Sequence, residues 1–340
     1  MRFPRPLQPG DTIGVTAPSS GVRPSFRPRL DAAVRSLEER GYAVVLGACL
    51  DTDGSTGVVS ASKEQRAAEL TAMLADPTIR AVVPPWGGEL AIDLLDRIGW
   101  SELADAEPTW LVGFSDLTTL MVPVTLELGW ATLHGSNLMD TPYDAPEGLL
   151  HWTDVASATA PVTQTSPGRY RGTGWDDYES EPGVCRWTLE SSGTWRVLDG
   201  SAVDVSGRLI GGCIETVGPV AATPWGDVRS FGRAHAEEGL IVYLEACEDG
   251  AYTIARQLHA LRHAGWFEHA NGVLIGRTRA PDMPDLTQTE AVVDALGDLG
   301  IPIVLDVECG HVAPYLPLVN GALARVVADG DTRQITQTLA

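Results

Sequence analysis

Short apolar runs alternate with segments of helical period through the first 150 residues, and this alternation constrains the fold more than any other feature of the chain. Thr12–Ala17, Ala43–Gly47, Ala81–Pro84 and Trp110–Gly113 are short, apolar and bounded by turn residues, which predicts buried strands. Between them, Arg29–Arg40 sets Leu30, Ala33, Val34 and Leu37 on one face, with Pro28 suited to the first turn and Gly41 to the end. Ser62–Ala75 reads as a helix capped by Ser62, Ala91–Leu95 as the start of another, and Leu117–Leu128 as a fourth. Strands separated by helices imply a parallel sheet covered on both faces. Ligands of such sheets sit outside the carboxyl ends of the strands, and those ends carry Ser19, Gly87, Gly88 and Ser115.

The character of the chain changes from about residue 156 to 200. Thr, Ser, Gly and Pro become frequent, with Trp175, Trp187 and Trp195 among them, as in a linker or binding loop. A second α/β unit follows. It contains the run Arg208–Gly212, then strands at Leu240–Leu244, Gly272–Gly276 and Ile303–Leu305, and a helix from Tyr252 to His263. The expected organisation is an N-terminal domain over 1–155, a connection over 156–200 and a C-terminal domain over 201–340. A length of 340 residues with 44% hydrophobic content suits two such cores. The net charge of −21 argues against a nucleic acid polymer as partner, because a phosphate backbone is bound by Lys and Arg. Five scattered cysteines without a close pair suit a reducing compartment. With no signal peptide and no apolar run of membrane-spanning length, a cytoplasmic location is expected and membrane association is not.

Ser115 is the strongest local candidate for chemistry. The apolar strand ends at Gly113, a sharp polar turn follows, and a helix begins at about Asp116. A serine at such a corner presents its hydroxyl beside the free N–H groups of a helix N-terminus, which can stabilise an oxyanion. The arrangement resembles a nucleophile elbow, with Leu117 in place of the last glycine. The alternative is a helix cap, a role serine favours. Gly87-Gly88 lies at the same sheet edge, where Gly88 could offer a second N–H to an oxyanion.

A serine nucleophile needs a base, and the base an orienting acid. Of seven histidines, His259, His263 and His269 suit a surface, His151 and His235 lack a strand-end signal, and His134 lies near the first-domain edge. His311 is preferred because it follows a buried strand on a loop with a nearby proline. Glu245 is the preferred acid: it directly follows five apolar residues, where a buried carboxylate needs a partner. Asp306 and Glu308 remain possible by spacing, and Glu248 and Asp249 suit a helix start. Cys309, His311, Glu308 and Asp306 could be imagined around a metal, but no zinc-type pairing accompanies them and no metal is expected. A dinucleotide is not expected either, since no G-x-G-x-x-G follows the first strand.

These residues occur in a recognisable series. Leu7–Ser19, Val112–Thr118, Gly207–Gly212, Leu244-Glu245, Gly272–Gly276 and Cys309–His311, in that order, make the chain resemble the LD-carboxypeptidase family of serine peptidases, and within it the MccF-like microcin C immunity branch. The resemblance implies a flavodoxin-like N-terminal domain with a parallel sheet, a smaller β-rich α/β C-terminal domain, and a homodimer. It implies a Ser–Glu–His triad of Ser115, Glu245 and His311, with the N-terminal domain supplying the nucleophile and the C-terminal domain the acid and base. Oxyanion donors would be the N–H groups of Gly88 and Asp116, with no metal or organic cofactor. Where many members have Arg-Gly-Gly-Tyr-Gly, this chain has Trp86-Gly87-Gly88-Glu89-Leu90, and Glu89 brings a negative charge to the substrate side. Where the family often has Asn after Gly211-Gly212, this chain has Cys213. Trp175, or else Trp187, matches the tryptophan that stacks on a nucleobase in the MccF branch. The expected activity is cleavage of an amide bond in a small peptidyl- or aminoacyl-nucleotide. The alternatives are a murein tetrapeptide LD-carboxypeptidase and a non-catalytic binding protein of the same fold.

Overall fold

A computed structural model describes residues 1–51 and 58–339. The fold is mixed α/β, and the chain divides into two compact units. The first comprises residues 1–145, 151–159 and 173–187; the second comprises 146–150, 160–172 and 188–340. Residues 156–200 are thus shared between the units.

Among its described residues the first unit holds five strands: β1 (Thr12–Val15), β2 (Ala43–Leu46), β3 (Ile79–Val82), β4 (Trp110–Gly113) and β5 (Thr132–His134). They pair in parallel in the order β5-β4-β3-β1-β2. The chain first builds outward from β1 to β2, then returns to add β3 on the other side. The strand order therefore reverses between β1 and β3, the place where such sheets leave a crevice for ligands. Helices α1 (Arg27–Glu39), α2 (Lys63–Ala75), α3 (Trp100–Asp105), α4 (Thr118–Leu128) and α5 (Trp152–Ala156) complete the unit. Leu30, Ala33 and Leu37 of α1 are buried, as the sequence pattern requires. Ser62 caps α2 in a reciprocal box with Gln65. The residues of α4 from Thr118 to Thr125 are all buried, so this stretch has no solvent-facing side.

Two expectations need amending. Ala91–Leu94 forms only a 3-10 turn, and the helix proper comes later as α3. The Ala91 N–H is taken by the Asp116 carboxylate and the Leu90 carbonyl by Arg66, so this short segment is shaped by tertiary partners rather than by its own period. Strand β5 was not assigned from the sequence; three residues give too little period to separate it from a loop.

The second unit is built on an eight-stranded sheet. Its strands are β6 (Val162–Thr165), β7 (Arg196–Val197), β8 (Val203–Cys213), β9 (Leu240–Glu245), β10 (Ala270–Gly276), β11 (Ile303–Val307), β12 (Leu323–Asp329) and β13 (Thr332–Thr338). The order is β6-β13-β12-β8-β9-β10-β11-β7. The middle four, β8 to β11, are parallel, and the flanking strands are antiparallel. Helices α6 (Ile214–Val217), α7 (Val228–Ala234), α8 (Ala251–His263) and α9 (Gln288–Leu296) accompany the sheet. Trp195, Leu209, Ile241, Tyr243, Leu274, Val304 and Val326 share its core. The parallel register puts Cys213 beside Glu245 at the carboxyl ends of β8 and β9.

Candidate active site

In the first unit the loops after β1, β3 and β4 converge at the strand reversal. The Ser20 N–H donates to the Gly87 carbonyl at 3.1 Å, tying the first two loops together. Arg66, reaching from α2 and almost wholly buried, donates to the carbonyls of Pro18 (2.6 Å) and Leu90 (3.1 Å). Both loop carbonyls therefore find a charged donor in place of water.

Ser115 follows β4 as the first residue of a 3-10 turn, Ser115–Leu117, that leads into α4. Its φ is +66°, one of two positive values among the described non-glycine residues. A left-handed serine is strained, and such strain collects at functional corners. The residue at the cap of the turn is Phe114, and no side-chain cap bond closes it, so Ser115 does not serve as the helix cap. The corner is held from outside. Asn137 accepts the Phe114 N–H at 3.1 Å, and Thr118 Oγ1 donates to the Ser115 carbonyl at 2.8 Å. Gly113, at φ +152°, has no room for a Cβ between Leu117 and Asn137.

Gly87 faces the serine most closely. A Cβ on Gly87 would sit 2.8 Å from Ser115 Cβ, 2.9 Å from its Oγ and 3.0 Å from the Asp116 N–H. Gly88, at φ +145°, lies against the hydroxyls of Ser19 and Ser20. The Asp116 side chain is turned inward, accepting from Ser19 Oγ (2.5 Å) and the Ala91 N–H (2.8 Å). Burial pushes its carboxyl above the usual range, and those bonds pull the other way. Arg66 and Asn137 have no motif signal: each is an ordinary polar residue whose role depends on where the chain brings it.

The second unit brings Glu245 and His311 together. Glu245 ends β9 and is fully buried; His311, on the loop after β11, is 9% exposed. The His311 Nδ1 lies 2.7 Å from Glu245 Oε2. Burial alone would lower the imidazole's pKa, but the facing carboxylate and a bond with Cys247 outweigh it and raise it well above the ordinary value. Glycine makes the approach possible. Gly310, at φ +98°, passes so close to the Glu245 carboxylate that a Cβ would overlap it, and a Cβ on Gly276 would meet Glu245 Cβ at 2.7 Å. The competing acids are engaged elsewhere. Glu308 accepts from Trp195 Nε1 (2.5 Å) and Ser166 Oγ (2.6 Å), while Asp306 accepts from Arg196 Nε (2.5 Å).

The other candidates fall as follows. Trp175 is 46% exposed, whereas Trp187 stacks on Tyr143 with ring centroids 3.5 Å apart. Glu89 is exposed on the loop after β3. His134 is buried in β5, edge-on to Phe114, and His151 is buried between Thr153 and Thr141. His259 pairs with Asp294 on an exposed face of α8. Cys213, Cys247 and Glu215 form part of the surroundings of the Glu245–His311 pair; the sequence marked Cys213 only as a departure from the family's usual Asn, and no motif pointed to Cys247 or Glu215. Cys213 Sγ donates to Glu215 Oε2 at 3.1 Å, and Glu215 Oε1 accepts the N–H groups of Cys247, Glu248 and Asp249. No helix among the described residues is long and apolar enough to cross a membrane.

Residues 13–135 match the LD-carboxypeptidase N-terminal domain, and residues 206–326 the LD-carboxypeptidase C-terminal domain. A Streptomyces coelicolor protein named as a carboxypeptidase is 30% identical over 332 residues, covering 97% of this chain and 94% of its own. The Escherichia coli microcin C7 self-immunity protein MccF is 24% identical, over 98% of this chain and 94% of its own. The Pseudomonas aeruginosa murein tetrapeptide carboxypeptidase is 26% identical, over 73% and 70%. The solved structure of MccF in complex with glutamyl sulfamoyl guanosine superposes with a TM-score of 0.81 at 20% identity, covering 98% of this chain and 97% of that one. With both domains matched in order along one chain and a relative at this identity over nearly its full length, the protein belongs to the LD-carboxypeptidase family.

Proposed function

We propose that the protein is a serine hydrolase that cleaves an amide bond in small peptidyl- or aminoacyl-nucleotide compounds of the microcin C type. The observation that carries the reading is the 2.7 Å bond between His311 Nδ1 and the buried Glu245 carboxylate, an acid–imidazole pair of the kind a serine nucleophile requires. The proposed nucleophile is Ser115, whose strained corner against Gly87 supports that role. In this mechanism His311 takes the Ser115 hydroxyl proton as Oγ attacks the carbonyl carbon. The negative charge that develops on the carbonyl oxygen is met by the N–H groups of Gly88 and Asp116. Glu245 holds the imidazole in orientation and stabilises the imidazolium. His311 then protonates the leaving amine, and water, deprotonated by the same imidazole, releases the acyl group from Ser115.

The nucleotide substrate is favoured by the full-length similarity to MccF and by the exposed indole of Trp175, a platform on which a base can stack. The similarity to murein tetrapeptide carboxypeptidase supports a second substrate, a tetrapeptide with a free carboxyl end. Mass spectrometry after incubation with a peptidyl-nucleotide and with a murein tetrapeptide separates them. Cleavage of the first is expected, and cleavage of the tetrapeptide alone would overturn the ranking. Ser115→Ala is expected to lower kcat by ~10³-fold or more with the fold retained. An unchanged rate would remove Ser115 from the mechanism. Covalent labelling of the wild-type chain at Ser115 by a fluorophosphonate is the expected result that separates a hydrolase from a binding protein.

A further inference from the structure

The Glu245–His311 pair has a third neighbour that acyl transfer does not use. A ligating atom from each of Cys213, Glu245 and His311 lies within 4.8 Å of the other two. Cys213 and Glu245 are fixed by the backbone, because they are paired residues at the ends of adjacent parallel strands. All three side chains are largely withdrawn from water. We propose that Cys213, Glu245 and His311 form an inhibitory site for a thiophilic divalent cation, for which Zn²⁺ is the natural probe.

The donor set is the first argument. One thiolate, one imidazole and one carboxylate form a mixed S/N/O set that Zn²⁺ favours over Mg²⁺ or Ca²⁺, which seek oxygen alone. Tetrahedral zinc with Zn–S of ~2.3 Å and Zn–N or Zn–O of ~2.0–2.1 Å sets its ligands ~3.3–3.6 Å apart. The ligating atoms lie within 4.8 Å of one another, and binding requires the His311–Glu245 contact of 2.7 Å to open toward that spacing. Three protein ligands leave the fourth position to water, as in open zinc sites.

The second argument is the fate of the proton. The Cys213 S–H donates to Glu215 Oε2 at 3.1 Å. When sulfur binds the cation, the S–H bond breaks, the S–metal bond forms, and the proton passes to the Glu215 carboxylate and then to solvent. The cation compensates the charges of the thiolate and of Glu245. A net charge of −21 concentrates cations around the chain as a whole.

Inhibition follows if Glu245 and His311 have the roles proposed above, and this half of the inference rests on that reading. Metal on Nε2 takes the lone pair that would accept the serine proton, and metal on Nδ1, the nitrogen facing Glu245, forces the ring's own proton onto Nε2 with the same result; a carboxylate bound to metal no longer orients the imidazole. Binding itself does not depend on the reading, and the test keeps the two apart.

The experiment uses the full chain freed of metal with EDTA. Co²⁺ is added and the absorption spectrum recorded, then Zn²⁺ is titrated in to displace it. One Co²⁺ per chain is expected, with a near-ultraviolet sulfur-to-cobalt charge-transfer band and the visible bands of a tetrahedral ion. Cys213→Ser is expected to lose the charge-transfer band and to weaken Zn²⁺ binding at least tenfold; Glu245→Gln is expected to keep the band with weakened binding. A control Cys247→Ser chain is expected to keep the band, which tests the assignment even if Cys213→Ser fails to fold. Absence of the band in the wild-type chain, or its loss in Cys247→Ser, would overturn the site. In the hydrolysis assay, stoichiometric Zn²⁺ should suppress turnover and EDTA should restore it. Full turnover with zinc bound would refute the inhibitory role, whereas a chain that binds Co²⁺ as described but hydrolyses neither substrate would refute the proposed function and leave the metal site standing.

Discussion

Gly310 shows how a single residue controls the acid–imidazole pair. It has no side chain because the Glu245 carboxylate occupies the space where a Cβ would stand, and its φ of +98° is one that L residues rarely adopt. Gly310→Ala should therefore displace Glu245 from His311. The expected result is a loss of most turnover with a destabilisation of ~1–3 kcal/mol, read by kcat and by denaturant midpoint. Gly87 differs, because its obstruction is the Ser115 side chain itself. Gly87→Ala should lower kcat/KM by ~10-fold or more with little change in melting temperature; an unaltered kcat/KM would separate this glycine from the site. His151 contributes a pH effect. Burial holds its imidazole down at about 3, against ~6.5 for an exposed histidine. Below pH ~6.5 the unfolded chain takes up a proton that the folded chain refuses, so this stabilisation is complete above that pH. It is lost as the pH falls toward 3, by up to ~4 kcal/mol. Urea midpoints between pH 7 and 4.5 should fall less steeply in His151→Asn than in the wild-type chain.

Among the elements, α2 links stability to the site. Its cap is local: Ser62 and Gln65 satisfy each other's backbone donors, so Ser62→Ala should cost ~1 kcal/mol in stability and leave kcat nearly unchanged. Its middle is not local, since Arg66 holds the carbonyls of two loops that border Ser115. Arg66→Met should leave both carbonyls without that donor and lower kcat as well as stability. The cap was legible from Ser62 because capping depends on residues three apart. Arg66 was not, because nothing in its neighbours in sequence distinguishes it from a surface arginine. The turn at Ala91–Leu94 follows the same rule: its apolar run suggested a helix, and bonds from distant residues decided otherwise.

For the whole molecule, charge makes the clearest prediction. An excess of 21 negative charges opposes the approach of an anionic nucleotide, and salt screens that repulsion. The association-limited kcat/KM for a nucleotide substrate should rise as ionic strength goes from ~0.01 to ~0.15 M; a fall would indicate a locally positive entrance. We also propose a homodimer, which sedimentation would test.

The sequence by itself determined the strand–helix alternation, the parallel sheet that follows from it, and the family. Each rests on period or on the order of short motifs, which are local properties of a chain. It also singled out Ser115, Glu245 and His311 as candidates, but left the cap reading of Ser115 and the rival acids Asp306 and Glu308 open. Only the tertiary structure supplies the partners of these residues, because those partners are distant in sequence. Trp195 and Ser166 engage Glu308, Arg196 engages Asp306, and Gly310 makes room for Glu245 against His311. The same dependence explains Cys213. Its proximity to the acid–imidazole pair arises from strand register and a distant loop, and no pattern of neighbouring residues encodes such a meeting.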